Sequence, residues 1–330
     1  MRADGARLEV VVAYDGGAAA DGALWLGGLL ARQSGASLTV VAVYAAEPAF
    51  HADTDHVRLV LAAEADEHLE RAEGRLPYGL KAQMRAIRSH SIPNALHDLA
   101  ADDSVGLVVV GGRPQPPALA ASSGNVAERL VTAAARCGVA VVPQGAADGR
   151  NAGLHVIGVA YDGSPESDAA LATAERIALA AHATLHIIGV LEPAAWCASG
   201  LPALAGYAEP EARARGRLDR ALARAVARAA SDVCALAVRA TGPPALELAR
   251  QASDLDLLVA GSRGYGPPGS VSLGSVSSAL LRSLPCPVLI VPRPDPDREG
   301  DDPELSSAEP AARGWRESVP RSEYPSPART

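Results

Sequence analysis

The sequence has few aromatic residues, a single lysine and no paired cysteines. Phe, Trp and Tyr together make up 3% of the chain, so we expect cores packed with aliphatic side chains. Lys81 is the only lysine and no Walker A pattern surrounds it, which excludes P-loop phosphate chemistry. The four cysteines are widely separated and form no C-x-x-C pattern, which argues against a disulfide framework and a zinc site.

The sequence also lacks long apolar runs and an excess of positive charge. No uncharged apolar run reaches the roughly 18 residues that a membrane span needs. The first residues, MRADGARLEV, lack the apolar core of a signal peptide. The formal net charge of −8 argues against nucleic acid or an anionic membrane as a partner. We therefore expect a cytoplasmic protein that binds neither nucleic acid nor membranes.

The chain does contain an α/β pattern, and this pattern occurs twice. Apolar runs of strand length alternate with helical segments, which is typical of a parallel sheet covered on both faces. LEVVVAYDG at 8–16 matches HVIGVAYDG at 155–163, and CGVAVVP at 137–143 matches CPVLIVP at 286–292. Other strands match at nearly the same offset, so the chain is a tandem duplication of one domain.

The repeat sets the predicted domain boundaries. We predict a first domain over 1–145, a linker over 146–153 and a second domain over 154–292. Residues 293–330 are rich in Pro, Ser, Asp, Glu and Arg and have almost no aliphatic side chains. Such a segment cannot bury enough surface to fold, so we expect a disordered tail.

A glycine-rich loop in the second repeat has the features of an anion site. It follows a short apolar strand, contains Gly261, Gly264 and Gly274, and ends at Ser275, where a helix is predicted. Exposed backbone N–H groups and a helix start together favour binding of an anion, most often a phosphate. A structural explanation is also available, because a glycine loop can be only a turn and Asp162-Gly163-Ser164-Pro165 is a good helix start by itself.

This loop, Tyr161-Asp162-Gly163-Ser164 and the segment GSVSSALLRSLPCPVLIVP together resemble the universal stress protein family. The resemblance covers about residues 7–143 and 154–292. It implies an α/β fold of two tandem doubly wound domains, each a five-stranded parallel sheet of order 3-2-1-4-5 with helices on both faces. Some members of this family bind ATP and others do not, so the resemblance alone does not imply ATP binding.

The loop and the resemblance together predict an ATP site, with Mg²⁺, in the second repeat. Asp162 would contact ribose hydroxyls or a phosphate-bound Mg²⁺, and the resemblance places the backbone of Val190 against the adenine. Gly261 and Gly264 would allow the backbone to approach the phosphates closely, and Gly274 and Ser275 would present N–H groups and a hydroxyl. The remaining phosphate-side contacts that the resemblance implies are Ser262, Arg263 and Ser277.

The first repeat has lost the residues of this site. Gly111 and Gly124 remain, but Pro114 stands where the second glycine belongs and Asn125 replaces the serine. Proline removes a backbone donor and fixes φ where the loop needs freedom. We therefore predict one nucleotide per chain.

The tandem arrangement predicts an intramolecular pseudo-dimer. Single domains of the family commonly pair through their last strands, so we expect Val139–Val142 and Val288–Val291 to pair antiparallel within one chain. Such pairing would cover two sheet edges at once.

The charged helices leave the question of partners open. Arginines line one side of the segment Glu211 to Ala230, and the equivalent helix of the first repeat carries Glu64, Glu67, Glu70 and Glu73. Solvated helix faces explain both patterns. The alternative is that opposite charges steer two chains into a homodimer, or steer another protein to this one.

Several other patterns do not support a specific chemistry. Gly264 to Gly269 reads G-x-G-x-x-G but follows the fourth strand of its repeat and contains two prolines, so a dinucleotide site is not expected. His51, Asp53, Asp55 and His56 can bind metals, but in a variable loop we expect them to be solvated.

The chain offers no nucleophile, general base or carboxylate pair placed for turnover, so we expect no fast catalysis. The favoured function is an ATP-binding stress-response protein. The alternatives are a nucleotide-independent interaction module, and a slow ATPase or autophosphorylating enzyme with Ser275 or Ser277 as the phosphate acceptor.

Overall fold

The computed structural model describes residues 8–45, 54–112, 129–131, 137–147, 153–192, 208–262, 273–292 and 315–317. Within these ranges, apolar runs form strands and the segments between them form helices, in the same order in both halves of the chain. The first repeat consists of β1 (Glu9–Ala13), α1 (Ala18–Ser34), β2 (Ser37–Ala45), α2 (Thr54–Arg75), β3 (Gln83–Ser89), α3 (Ile92–Ala101), β4 (Val105–Gly112) and β5 (Gly138–Pro143). Residues 129–131, between β4 and β5, are helical.

The second repeat has the same succession of elements. It consists of β6 (Val156–Ala160), α4 (Pro165–Ala181), β7 (Thr184–Leu191), α5 (Ala208–Arg228), β8 (Ala235–Thr241), α6 (Pro244–Gln251), a 3₁₀ turn (Ala252–Asp254), β9 (Leu257–Gly261), α7 (Ser275–Ser283) and β10 (Val288–Val291). No helix within the described ranges is long and apolar enough to cross a membrane.

The strands form one continuous sheet in which both repeats keep the predicted order. The first repeat runs β3-β2-β1-β4-β5 and the second runs β8-β7-β6-β9-β10, so each has the order 3-2-1-4-5 with parallel neighbours. The predicted doubly wound α/β fold is confirmed. The short, fully buried strands near the centre account for it, because they need helices on both faces.

The two repeats meet through β5 and β10, which pair antiparallel as predicted. Leu289 lies opposite Ala140 at the centre of this seam, with Val288 opposite Val141. Each closing strand would otherwise be an edge with unpaired N–H and C=O groups, and the pairing removes both edges. The chain is thus an intramolecular pseudo-dimer.

The core forms two layers, and each layer runs across both repeats. One cluster packs α1, α2, α4 and α5 on one face of the sheet. The other packs α3, α6 and α7 on the opposite face. These faces are called below the α4 face and the α7 face. Every strand residue therefore points to one face or the other, which decides what it can contact.

One short strand lies in the segment for which we predict a disordered tail. Trp315–Glu317 form β11, which pairs parallel with β8 at the outer edge of the second repeat. The rest of the tail lies outside the described residues. Composition does not predict this strand, because an exposed sheet edge can pair with the backbone of an extended segment whatever its side chains are.

Candidate functional site

The carboxyl ends of β6, β7 and β9 lie together at one edge of the sheet. β6 stands between the other two strands and pairs in parallel with both. The chain leaves β6 for α4 on one face, whereas α7 follows β9 on the other. This divergence is the switch point at which doubly wound sheets bind ligands. Asp162, Val190 and Gly261 all lie at this edge, which is called below the β6–β9 crevice.

Strand alternation sorts the predicted residues between the two faces. Tyr161 belongs to the cluster on the α4 face, and Val190 packs against the cluster on the α7 face. Gly261 approaches α4. Because successive residues of an extended chain face opposite ways, Asp162 and Ser262 turn towards the α7 face. Asp162, Val190 and Ser262 are therefore on the side from which α7 begins.

The turn after β6 is held by Asp162 in a way that both repeats share. The Oδ1 atom of Asp162 accepts a hydrogen bond from the backbone N–H of Ser164 at 3.0 Å. Asp15 of the first repeat accepts from the N–H of Gly17 at 2.9 Å. The intervening Gly163 has a positive φ of 82°. The acidic residue thus has a structural role in both repeats, which explains why Asp15 persists where the loop has degenerated.

The start of α4 is capped by its own side chains. Ser164 accepts from the N–H of Ser167 at 3.2 Å, and Pro165 stands at the first helical position. The Ser167 hydroxyl donates to the Ser164 carbonyl at 2.8 Å and accepts from the N–H of Gly163 at 3.1 Å. These donors are satisfied within the protein, so this helix start is not arranged to hold an anion.

The start of α7 is different, because no side chain in the described part of the chain caps it. Gly274 is the N-cap residue, with φ −65° and ψ 157°, and makes no side-chain cap hydrogen bond. Its carbonyl oxygen accepts from the N–H of Ser278 at 2.9 Å, which closes the first turn. Ser275 is exposed at the first helical position, and the first turn contains no acidic residue. Such a helix start offers backbone N–H groups and positive potential to an anion.

Gly261 has a packing role that the sequence does not reveal. A Cβ atom at this position would lie 2.6 Å from the carbonyl oxygen of Glu166 in the first turn of α4. At the equivalent Gly111, a Cβ atom would lie 2.7 Å from the carbonyl carbon of Ala19 and 2.8 Å from the backbone N of Ala20. Both repeats need a glycine here so that the first helix can pack against the end of the fourth strand. The presence of Gly261 is therefore not by itself evidence for a ligand.

The two buried serines at the crevice differ in their hydrogen bonds. Ser277 is 5% exposed and its hydroxyl donates to the Gly261 carbonyl at 3.0 Å. Ser262 is 1% exposed, and among the described residues its Oγ atom has no hydrogen-bond partner. A buried hydroxyl without a partner is costly, and native proteins keep few of them. The equivalent position in the first repeat is Gly112, which has no hydroxyl to satisfy.

The remaining predicted residues divide between β7 and the loop. At the end of β7, Val190 is half-buried and its neighbour Gly189 is tightly packed, because a Cβ atom there would lie 2.8 Å from Cδ1 of Leu218 in α5. Arg263 and Gly264 lie outside the described residues, as do Pro114 and Asn125 of the first repeat. Within the described ranges, no group of three or more His, Cys, Asp or Glu side chains is arranged to hold a metal ion.

A buried tyrosine beside the crevice was not identified from the sequence. The hydroxyl of Tyr161 donates to Oδ1 of Asp168 at 2.9 Å, and Arg228 of α5 lies 3.5 Å from the same oxygen. Burial, and secondarily the hydrogen bond to Asp168, raise the pKa of Tyr161 to about 12. The group joins the end of β6, the first turn of α4 and the end of α5.

The first repeat contains the same three residue types, with the arginine again in the last turn of the second helix. Tyr14 donates to Oδ1 of Asp21 at 2.7 Å, and Arg75 contacts both the Tyr14 hydroxyl at 2.8 Å and Asp21 at 2.6 Å. Burial and the hydrogen bond to Asp21 raise the pKa of Tyr14. The sequence does contain a signal for this cluster, since Tyr and Asp are seven residues apart in both repeats.

Comparison with known proteins finds relatives of both repeats. The family model described as the universal stress protein family matches residues 8–143 and 153–292. A Thermus aquaticus protein named "universal stress protein in QAH/OAS sulfhydrylase 3′ region" is 36% identical over 137 residues. This match covers 40% of the present chain and 95% of that protein.

Two solved structures share the fold across most of the chain. A universal stress protein from Archaeoglobus fulgidus DSM 4304 has a TM-score of 0.57 and 19% identity, covering 87% of this chain and 98% of that one. A candidate universal stress protein from Pseudomonas aeruginosa UCBPP-PA14 has a TM-score of 0.56 and 19% identity, covering 87% and 94%. At this level of identity the likeness concerns the fold.

Proposed function

The chain belongs to the universal stress protein family, and from this premise we propose that it is an ATP-binding regulatory protein with one nucleotide site, in the second repeat. The observation that carries the proposal is the start of α7, which no described side chain caps, beside the hydroxyl of Ser262, which has no hydrogen-bond partner among the described residues. Backbone N–H groups at a helix start and a buried hydroxyl donor are the groups that a phosphate chain needs.

The residues present fit such a group. Backbone N–H groups after Gly274 and the side chains of Ser262 and Ser275 would hold the phosphates, together with Arg263 and Gly264. Asp162, exposed on the same side of the sheet, would accept from ribose hydroxyls or bind Mg²⁺, and the backbone at Val190 would lie against the adenine. When bound, ATP with Mg²⁺ would supply negative charge that neutralises the helix start.

The contribution of Ser277 differs from that of Ser275. The Ser277 hydroxyl proton is used by the Gly261 carbonyl, so this side chain positions the helix start while its backbone N–H remains available to a phosphate. Its burial also disfavours it as a phosphate acceptor. If the chain phosphorylates itself, the exposed Ser275 is the candidate of the two.

A regulatory function is supported by a contact between the C-terminal end of α7 and the first repeat. Leu284, the residue that ends this helix, is 3% exposed. A Cβ atom on Gly112 of the first repeat would lie 2.7 Å from Cδ1 of Leu284, so the two residues are in close contact. One short helix thus connects the phosphate end of the crevice to the first repeat. A ligand that orders the start of α7 would therefore shift the conformational equilibrium at the seam between the repeats.

We also propose a second copy of the chain as a partner, steered by charge. The exposed residues Glu64, Glu67, Glu70 and Glu73 of α2 and Arg217, Arg220 and Arg224 of α5 lie on the same face of the sheet, in opposite repeats. A twofold axis between two copies would bring each acidic helix against a basic one. A nucleotide-independent interaction module, the main alternative, would use the same surfaces without ATP.

The nucleotide site is tested with two aspartates that occupy equivalent turns. The protein is purified without denaturation, bound nucleotide is extracted, and Mg-ATP is titrated into the wild type, Asp162→Asn and Asp15→Asn by calorimetry. We expect one site, weakened roughly 10-fold or more by Asp162→Asn, because a charged hydrogen bond contributes about 1.5–3 kcal/mol. Asp15→Asn should leave the affinity unchanged, since Oδ1 of asparagine can still hold the turn in both variants.

Other outcomes would reject the proposal. Two equal sites, an equal loss in both variants, or the absence of bound and titrated nucleotide would each contradict it, the last favouring the interaction module. Incubation with Mg-ATP, followed by analysis for ADP and phosphoprotein, separates simple binding from slow hydrolysis or self-phosphorylation.

A further inference from the structure

A cavity of about 630 Å³ lies between the two repeats on the α4 face of the sheet. It is lined by the end of α1, the second half of α4, the beginnings of β1, β4 and β5, and the end of β10. The β6–β9 crevice faces α7 on the opposite side of the sheet, so the cavity is separate from the proposed ATP site. Its volume is typical of a site for a small organic molecule.

The walls of this cavity are mainly apolar and come from both repeats. Leu30 of α1 and Ile177 of α4 are equivalent residues of the two repeats and both line it, together with Leu289 at the seam. The strand starts contribute Gly106 and Gly138, which carry no side chains to fill the space. The repeats are not alike here, because Asp256 and Pro287 stand at the positions equivalent to these glycines.

Two polar side chains of the lining are suited to a ligand. Gln33 lines the cavity, and among the described residues its buried Oε1 atom has no hydrogen-bond partner. Arg176 is exposed, and its guanidinium contacts Thr173 Oγ1 at 3.2 Å. Their equivalents in the other repeat are Ala180 and Leu29, so neither polar residue follows from the duplicated fold.

The other polar groups of the lining are engaged within the protein. The Ser34 hydroxyl donates to the Leu30 carbonyl at 2.7 Å. Glu9 accepts a hydrogen bond from the hydroxyl of Thr39. The cavity therefore presents an apolar interior, an amide oxygen without a partner among the described residues, the guanidinium of Arg176 and, at the start of β1, the carboxylate of Glu9.

We propose that this cavity binds an amphipathic monocarboxylate, such as a single-chain fatty acid. The hydrocarbon chain would lie along Leu30, Ile177 and Leu289, where burial of apolar surface drives binding. The carboxylate would pair with the guanidinium of Arg176, which binds carboxylates through parallel N–H donors. Rotation of the Gln33 amide about its terminal torsion exchanges Oε1 for Nε2, so the same side chain can donate to the carboxylate.

The test uses dodecanoate as the probe and the full chain as the protein. Calorimetry with wild-type protein should show one dodecanoate bound per chain, with uncharged dodecanol binding more weakly and dodecyltrimethylammonium not binding. Arg176→Gln should weaken dodecanoate roughly 10-fold, in line with the loss of a charged hydrogen bond, and leave dodecanol unchanged. Arg85→Gln, which removes an exposed arginine of β3 outside the cavity, is the control and should change neither.

A second variant tests the location. Ala180 lines the cavity and is exposed, so Ala180→Phe should be tolerated by the fold while filling the space, and it should abolish binding of both dodecanoate and dodecanol. Arg176→Gln decides the matter even if Ala180→Phe does not fold, because it removes only an exposed charge. The proposal is overturned if dodecanoate does not bind, if Arg176→Gln and Arg85→Gln behave alike, or if a folded Ala180→Phe binds normally. ATP titration in the same variants should be unaffected, which keeps this result independent of the proposed nucleotide site.

Discussion

The hydroxyl of Ser277 donates a hydrogen bond of 3.0 Å to the carbonyl oxygen of Gly261, joining the first turn of α7 to the end of β9. Both residues stand at the edge of the proposed phosphate site, so the bond sets the distance between strand and helix across the loop 262–274. It also gives the serine a role that does not require a ligand.

We expect Ser277→Ala to lower the free energy of unfolding by about 1 kcal/mol, because the part-buried Gly261 carbonyl loses its side-chain donor in the described contacts. Ser283→Ala in the same helix is the control, since its hydroxyl donates to the carbonyl of Leu280 within the helix, at 3.2 Å. Urea denaturation of both variants measures the difference. Equal stabilities would show that the Ser277–Gly261 bond does not hold the helix start.

The glycines that end the fourth strand of each repeat should be equally intolerant of a side chain. Gly261→Ala would place Cβ 2.6 Å from the Glu166 carbonyl oxygen, and Gly111→Ala would place it 2.7 Å from the Ala19 carbonyl carbon. We expect each substitution to cost about 1–3 kcal/mol, the usual range for overpacking.

The control for these variants is Gly74→Ala in α2, where a Cβ atom would meet nothing within 4 Å. Alanine is favoured over glycine inside a helix, so this variant should be stabilised by up to about 1 kcal/mol. Thermal or urea denaturation checks all three. A loss confined to Gly261→Ala would indicate that its glycine serves a ligand rather than helix packing.

These contacts show what the sequence predicts and what it does not. Apolar runs and the internal repeat predict two α/β domains with parallel sheets. The sheet order and the pairing of β5 with β10 are implied by the resemblance to the universal stress protein family, and the structure has both. The same reasoning brings Asp162 and Gly261 to one edge. It cannot show why Gly261 is a glycine, because the reason is the approach of the Glu166 backbone, more than ninety residues earlier in the chain.

The tyrosine clusters illustrate a second limit. The Tyr–Asp spacing is seven in both repeats, but Arg75 lies 61 residues after Tyr14. Arg228 lies 67 residues after Tyr161 (228 − 161), because the segment before α5 is longer than the one before α2. An alignment at constant offset therefore misses the arginine. Only the packing of the second helix against the first shows that it belongs to the cluster.

Tyr161 of the second repeat should ionise at a higher pH than an ordinary tyrosine. The pKa of Tyr161 is raised from 10.0 to about 12, first by burial and then by the hydrogen bond to Asp168. A difference titration of tyrosinate absorbance between wild type and Tyr161→Phe should show one group with a midpoint near that value. Because burial is the largest cause, Asp168→Asn should lower the midpoint without returning it to 10.0.

The raised pKa of Tyr161 also determines how the stability of the protein depends on pH. The folded-state pKa lies above the unfolded value, so the contribution of Tyr161 is complete below pH 10.0 and is lost as the pH rises through about 12. Tyr161→Phe should therefore flatten the fall in stability over this interval. A wild-type midpoint at the unperturbed value would contradict the buried hydrogen bond.

The contact of Leu284 with Gly112 should couple the second repeat to the first. Leu284→Ala removes a side chain that is 3% exposed and should cost about 2–4 kcal/mol. Leu246→Ala, at a residue 49% exposed, is the control and should be nearly neutral. If the nucleotide acts through α7, the Leu284→Ala variant should still bind ATP with the wild-type affinity. In hydrogen exchange, however, ATP should no longer protect the amides of the first repeat in this variant. Retained protection would place the coupling elsewhere.

The last prediction concerns the acidic and basic helices. If α2 of one copy binds α5 of another, the wild type should associate at about 0.02 M salt and separate at about 1 M, where charges are screened beyond about 3 Å. Sedimentation measures the association. Two charge-reversed chains, Arg217→Glu with Arg224→Glu and Glu67→Arg with Glu70→Arg, should each be monomeric alone, because both of their charged helices then carry the same sign. Mixed together, they should form a one-to-one complex, since each acidic helix again meets a basic one. If both variants associate as the wild type does, or if the mixture stays monomeric while the wild type associates, the two helices are solvated faces and the partner binds elsewhere.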